Sequence, residues 1–131
     1  MVSKLRAQRI SDRIHEELAS ILLMEVSDPR VTSAYITKVR VDNELSYANV
    51  YVSSLERSQG ADIILEGLKH ASGFLRNELA HRVQLRYFPR LRFYWDPSPE
   101  HADRIEQLIA SLDTEDDDTD APQDSESTLD D

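Results

Sequence analysis

The spacing of apolar residues switches repeatedly along this chain, and the order of the switches constrains its fold. Apolar side chains first recur every three to five positions, which predicts a helix from about Lys4 to Glu25 with one buried stripe. Two runs of alternating character follow, Ala34 to Val41 and Ser46 to Leu55, and the turn-like segment between them predicts an antiparallel hairpin. The first half is therefore predicted as helix, strand, strand.

The second half also alternates between helix and strand. Helical spacing extends from Ile64 to Val83 but is interrupted at Ala71-Ser72-Gly73, where a weak helix former predicts two helical halves joined by a kink. After Pro89, the aromatic run from Leu91 to Trp95 predicts a third strand, and a last amphipathic helix is predicted from about Pro99 to Leu112. The whole pattern predicts an α+β fold with helices on one face of a three-stranded sheet.

Charge divides the chain at Asp113. All fifteen Lys and Arg residues lie before this position and are balanced there by Asp and Glu, so the net charge of −10 belongs to residues 113–131. This segment is nearly devoid of aliphatic residues, so burial cannot offset an ordering cost of about 1 to 2 kcal/mol per residue. We therefore predict a folded domain at residues 1–96, a C-terminal helix at 97–112 and a disordered acidic tail at 113–131.

Several ordered motifs resemble the ribosome-binding factor A family. They are Asp28-Pro29-Arg30, the run from Glu44 to Ser53, the Ala71-Ser72-Gly73 interruption and the run from Pro89 to Phe93, and the likeness covers about Ser3 to Asp96. The resemblance implies a type II KH-like fold, α-β-β-α-kink-α-β, with an Ala-x-Gly kink in place of the Gly-x-x-Gly loop by which KH domains hold nucleic acid. The acidic tail departs from the family pattern, so the resemblance implies nothing about its role.

The resemblance also implies a function. It implies an assembly factor that binds 16S rRNA in the immature small (30S) ribosomal subunit, assists late maturation and rRNA processing, and matters in cold adaptation. An assembly GTPase is an expected further partner, and we expect a monomer with no enzyme activity and no cofactor. The absence of Cys, of an apolar leader and of a membrane-length apolar run favours the cytoplasm, with no membrane contact.

Basic residues on the first predicted helix are candidate RNA contacts. Arg6, Arg9 and Arg13 follow one another at helical spacing along one flank of the apolar stripe, and Lys4 precedes them. A solvated face, partly neutralised by acidic neighbours on the same helix, explains these residues as well. The resemblance to an RNA-binding family favours a phosphate-binding ridge.

A second candidate group surrounds the Ala-x-Gly interruption. It comprises Lys69, His70, Ser72 and Arg76, which could approach RNA because small residues let backbone amides come close to a phosphate. Close packing of two helices explains the same small residues equally well. Arg30, in the loop after the first helix, is a further candidate for a backbone phosphate, with an exposed loop arginine as the alternative.

A third basic series leads into the last strand. It comprises Arg82, Arg86, Arg90 and Arg92, with Tyr87, Phe88 and Tyr94 among them as stacking partners for bases. Phe93 and Trp95 alternate in register with Leu91 and are predicted to lie in the core instead.

Motifs for catalysis and metal binding are incomplete. His15-Glu16-Glu17-Leu18-Ala19 begins like a zinc-protease helix, but Ala19 stands where the second histidine is needed. A calcium loop begun at Asp116 would place Ala121 at the required glycine and Ser127 at the required glutamate. Two alternatives to RNA binding stay open: a module that docks on ribosomal proteins or an assembly GTPase, and an enzyme with dispersed catalytic residues.

Overall fold

A computed structural model describes residues 1–56 and 60–115, and it follows the predicted order of helices and strands. By contacts within the chain, residues Met1–Asp96 form one compact unit and a second unit begins at Pro97. The elements are α1 at Lys4–Met24, a 3-10 turn at Pro29–Val31, β1 at Ala34–Val41, β2 at Tyr47–Ser54, α2 at Ala61–Arg82, β3 at Arg90–Trp95 and α3 at Ser98–Glu115.

Helix α1 begins and ends where its flanking residues require. The amide of Arg6 donates to the Ser3 hydroxyl at 3.1 Å, which satisfies one of the orphan donors of the first turn and makes Ser3 the N-cap. The helix ends at Met24, before Asp28-Pro29, where proline starts a 3-10 turn whose cap is the Asp28 carboxylate. The chain is thereby directed into β1.

The three strands lie in the order β1-β2-β3. β1 and β2 are an antiparallel hairpin, as predicted, whereas β2 and β3 are parallel, with α2 as the crossover between them. The hairpin register shifts between Ile36 and Lys38, so Thr37 is an extra residue in β1. In the hairpin turn Leu45 has φ 58°, and the Asp42 carboxylate accepts hydrogen bonds from the amides of Ser46 and Tyr47.

The core lies between one face of this sheet and the helices α1 and α2. Its cluster of buried residues draws on both helices and on the inward positions of the hairpin, and it includes Ile14, Leu18, Ile21, Val39, Val41, Ala48, Val50, Val52, Ile64, Leu68, Leu75 and Leu79. Ala48, Val50 and Val52 face the core, and, as predicted, Leu91, Phe93 and Trp95 pack against it while staying partly exposed. The α+β class and the type II KH-like arrangement are therefore confirmed.

One predicted helix boundary was wrong. The two helical halves form one continuous helix, α2, which does not end at Ala71-Ser72-Gly73. Gly73 has no positive φ, and a glycine inside a helix costs only about 1 kcal/mol, less than the burial of Leu68 and Leu75 on either side contributes. Helix α3 spans Ser98–Glu115, close to the predicted helix from about Pro99 to Leu112, and the division into a folded domain, a C-terminal helix and a disordered acidic tail stays a prediction.

Some predictions lie outside the described residues. They concern residues 116–131 of the predicted acidic tail and the calcium loop considered there.

Candidate nucleic-acid interface

The flank of α1 that carries Arg6, Arg9 and Arg13 borders helix α2. The Arg13 guanidinium donates to the backbone carbonyl of Arg82 at 3.2 Å and lies 3.3 Å from the Glu17 carboxylate. Arg6 and Arg9 are exposed, and in the described part of the chain their side chains make no hydrogen bond or ion pair. The predicted ridge thus has one member tied to the protein and two with open guanidinium groups.

Lys4 lies on another side of the same helix. It lines a groove with Arg40 and Asn43, between the start of α1 and the end of β1. Ser11 fixes this junction, because its hydroxyl donates to the Ala7 carbonyl at 2.9 Å and accepts from the Val41 amide at 3.0 Å. Lys4 therefore lies near Arg40, a β1 residue that was not among the predicted RNA contacts.

Arg82 joins the two long helices. Its guanidinium contacts the Glu17 carboxylate at 3.3 Å and forms a second, short ion pair with Glu25. The side chain is 28% exposed, so these pairs are partly shielded from water. These two ion pairs explain the presence of Arg82 by its contribution to the fold, without any contact to RNA.

Arg30 is held by the residue that caps its own turn. Its guanidinium approaches both carboxylate oxygens of Asp28 at 2.8 to 3.2 Å, and its amide donates to the same side chain at 2.9 Å. These hydrogen bonds from Arg30 hold the pKa of the Asp28 carboxyl below its ordinary value, and the carboxylate raises the pKa of the Arg30 guanidinium. Asp28 and Arg30 thus largely neutralise each other within the loop.

Arg76 secures the segment that precedes β3. Its guanidinium donates to the carbonyls of Phe88, at 2.7 Å, and Pro89, at 3.2 Å. Pro89 is fully buried, so this contact fixes the point at which β3 enters the sheet. Arg86 and Arg90 lie on either side of that point, and both side chains are exposed.

The region expected to act like a KH groove has mixed charge. Lys69 and Ser72 line a groove of about 590 Å³ between α2 and residues 91–94 of β3. Asp62 and Glu66 line it too, so its potential is not uniformly positive. His70 is exposed outside this groove and close enough to Asp28 to lower the pKa of that carboxyl further.

The glycine that packs most closely in α2 is Gly67 rather than Gly73. A Cβ on Gly67 would lie 2.9 Å from Val31 Cγ1 and 3.0 Å from Arg30 Cβ, whereas a Cβ on Gly73 would meet nothing within 4 Å. The absent side chain at position 67 thus lets the Asp28-Pro29-Arg30 loop lie against the helix. Sequence reasoning missed Gly67, because nothing in the local pattern distinguishes it from other glycines.

Apart from Arg92, whose Nε donates to the Asn49 side chain within the sheet, the predicted cations separate into two groups. The framework arginines have guanidinium groups that hydrogen-bond the protein, and they are Arg13, Arg30, Arg76 and Arg82. The free cations are exposed and make no side-chain hydrogen bond or ion pair within the described residues, and they are Lys4, Arg6, Arg9, Lys69, Arg86 and Arg90. RNA contact by either group stays a prediction, but the framework arginines already use part of their hydrogen-bond donors within the protein, whereas the described residues occupy none of the head-group donors of the free cations.

Residues 1–56 and 60–115 show neither a metal cluster nor a membrane span. In that part of the chain no group of three or more His, Asp or Glu residues is placed to hold a metal ion. None of the helices described there is long and apolar enough to cross a membrane.

Comparison with known proteins places this fold among ribosome-binding factors. The sequence model of the family described as ribosome-binding factor A matches residues 6–109. Ribosome-binding factor A of Aromatoleum aromaticum is 40% identical over 112 residues, which cover 86% of this chain and 88% of that protein. The Staphylococcus carnosus protein of the same name is 39% identical over 111 residues, covering 85% of this chain and 96% of the relative.

Solved structures agree with this similarity. The crystal structure of ribosome-binding factor A from Thermus thermophilus matches with a TM-score of 0.62 at 27% identity, covering 68% of this chain and 93% of that one. A homology model of the Thermus thermophilus protein, fitted into a cryo-electron-microscopy map of its complex with the 30S subunit, matches with a TM-score of 0.51 at 28% identity. That match covers 65% of this chain and 93% of the other.

Proposed function

Because this chain belongs to the ribosome-binding factor A family, we propose that it binds 16S rRNA in the immature small ribosomal subunit. The fitted Thermus thermophilus relative, described in complex with the 30S subunit, supports the choice of partner. Binding without catalysis would then assist late maturation and rRNA processing in the cytoplasm, with particular importance in the cold. The protein would act as a monomer without a cofactor, and an assembly GTPase is a candidate for driving its release.

The free cations are the observation that carries this proposal. Lys4, Arg6 and Arg9 lie within two turns of α1, and their head groups make no hydrogen bond or ion pair with the described residues. Exposed Lys and Arg without carboxylate partners can neutralise phosphates and release counterions from RNA. Binding carried by such contacts weakens steeply as the salt concentration rises.

The proposal is tested by binding to purified immature small subunits over a range of salt concentrations. We expect the triple variant Lys4→Ala, Arg6→Ala, Arg9→Ala to bind about tenfold more weakly or worse at low salt. Its salt dependence should be shallower by about one unit of slope for each phosphate that is no longer neutralised. The matched control, Arg6→Lys with Arg9→Lys, keeps the charge and should retain most of the affinity.

Two outcomes would contradict parts of this proposal. If the triple variant melts like the wild type and binds subunits equally well, the α1 cations are not the contact surface. If the wild type shows no binding to immature subunits, the subunit-binding function itself is wrong.

A protein-docking function is the second candidate, and the mixed charge of the α2–β3 groove favours it. Lys69 there lies with Asp62 and Glu66, a pattern suited to a protein partner with charges of both signs. In this case the chain would dock on ribosomal proteins or an assembly GTPase without touching RNA. Binding to isolated 16S rRNA separates the two functions, because only the RNA-binding function predicts it.

A further inference from the structure

The face of the sheet opposite α1 and α2 is basic and aromatic. The three strands contain no Asp or Glu, and their four Lys and Arg residues are Lys38, Arg40, Arg90 and Arg92. All four are exposed. Tyr47, Tyr51 and Tyr94 stand at outward positions of β2 and β3, and all three are partly or fully exposed. The strands therefore contribute positive charge and aromatic rings to this face and no carboxylate, while Asp62 and Glu66 of α2 line a groove with Arg92 and Tyr94 along β3.

The register arranges these residues in rows across the sheet. One row runs from Arg40 through Asn49 to Arg92, and the next from Lys38 through Tyr51 to Tyr94. Neighbouring strands lie about 4.8 Å apart, so side chains of one row touch across the strands. Each row combines cations with planar groups.

Contacts within and between the rows pack these planar groups against one another. The Arg92 guanidinium lies 3.7 Å from the centroid of the Tyr47 ring, and its Nε donates to the Asn49 side chain at 3.0 Å. The rings of Tyr51 and Tyr94 are stacked with centroids 5.5 Å apart, and the Lys38 ammonium lies 5.3 Å from the Tyr51 centroid. These contacts order the side chains before any ligand arrives.

The bulge at Thr37 directs the cations of β1 to this face. Its hydroxyl lies 2.6 Å from the Asp96 carboxylate and 3.2 Å from the Tyr51 carbonyl, which fixes the extra residue in place. Beyond the bulge Val39 points into the core, so Lys38 and Arg40 point outwards. The positive face is thus built into the hairpin geometry.

We infer that this outer sheet face binds unpaired bases of single-stranded RNA, with rings and guanidinium planes as stacking platforms and Lys38, Arg40 and Arg90 as phosphate contacts. Bases in single strands stack on aromatic rings and on arginine planes, and cations along the platform track the backbone. A duplex buries its bases and offers this surface only phosphates. The inference rests on the proposed function for the source of the RNA, an unpaired segment of rRNA.

These rows of side chains could also serve only to stabilise the sheet through contacts between strands. The test therefore measures RNA binding directly, by a signal that does not depend on the stability of the protein. The probe is a fluorescein-labelled single-stranded RNA of about eight nucleotides, with its duplex for comparison. It is titrated into the full chain by anisotropy and by nuclear magnetic resonance of the backbone amides. In the wild type, the single strand should shift resonances of β2 and β3 and bind more tightly than the duplex.

Variants then separate stacking from folding. Tyr51→Leu with Tyr94→Leu removes both rings and should weaken binding to the single strand about tenfold. Tyr51→Phe with Tyr94→Phe keeps the rings and should bind like the wild type. Phe74→Leu removes an aromatic residue of α2 that is 45% exposed and should change the affinity less than twofold.

The outcomes distinguish this inference from the proposed function. Shifts on the sheet with loss of affinity in the leucine variant support it, even if immature subunits fail to bind. Shifts confined to α1 and α2, or leucine and phenylalanine variants of equal affinity, overturn it, while subunit binding would stand. If the leucine variant does not fold, the resonance shifts of the wild type decide. Shifts caused by RNA-free ribosomal proteins and not by the single strand also overturn it.

Discussion

The framework arginines and the free cations carry the same charge but have different surroundings. Arg82 lies between two carboxylates and Arg76 against two backbone carbonyls, whereas Arg6 and Arg9 project from α1 without such partners among the described residues. Carboxylates and carbonyls satisfy a guanidinium in much the same way as phosphate oxygens do. A basic residue in an RNA-binding family can therefore belong to the fold rather than to the interface.

This difference predicts opposite effects of substitution in the two groups. Removing a framework arginine should lower stability and affect binding only through the fold. Removing a free cation should weaken binding and leave stability nearly unchanged, since surface substitutions without partners usually stay within about 0.5 kcal/mol.

Gly67→Ala should have the largest effect on stability, because the added methyl group would push against Arg30, one of the framework arginines. The new Cβ would stand 2.9 Å from Val31 Cγ1 and 3.0 Å from Arg30 Cβ, and overpacking of this kind costs about 1 to 3 kcal/mol. Gly73→Ala is the matched control, because its Cβ meets nothing and should stabilise α2 by about 0.5 to 1 kcal/mol. Urea unfolding measures both. Equal effects of the two substitutions would show that Gly67 does not hold the loop against the helix.

Arg82→Ala should have the next largest effect on stability. It removes the partly shielded ion pairs to Glu17 and Glu25, for which we expect a loss of about 1 to 2 kcal/mol. In a domain of this size the melting temperature should fall by about 4 to 8 °C per kcal/mol. Thermal melting of Arg9→Ala provides the comparison, with no shift expected. A similar shift in both variants would remove the distinction between framework and free residues.

Most of the fold was predictable because it depends on local periodicity. The stripe of α1 and the alternation of the strands identify the buried faces correctly, and Ser3 and Pro29 mark a helix start and the stop before a turn. The break in α2 was wrong because it gave the local propensity of Gly73 more weight than tertiary burial.

The candidate site was less predictable because it depends on contacts between distant residues. The division among the arginines reflects partners far away in sequence, such as Glu17 for Arg82 and Phe88 for Arg76. The outward direction of Lys38 and Arg40 depends on the extra residue at Thr37, which no spacing rule reveals. The sequence therefore identifies the basic residues, but it does not predict on which surface of the folded protein each of them lies.

The smallest effect on stability is expected when acidification protonates Asp28 and removes its ion pair with Arg30. Hydrogen bonds from Arg30 lower the pKa of Asp28 in the folded state, so the carboxylate contributes stability above the ordinary aspartate pKa. That contribution is lost as the pH falls through the lower folded pKa. Asp28→Asn keeps the cap acceptor for the Arg30 amide but removes the charge, so it should be less stable than the wild type at neutral pH. Urea midpoints of both proteins should converge as the solution is acidified, whereas a gap independent of pH would mean that the ion pair adds nothing to this part of the framework.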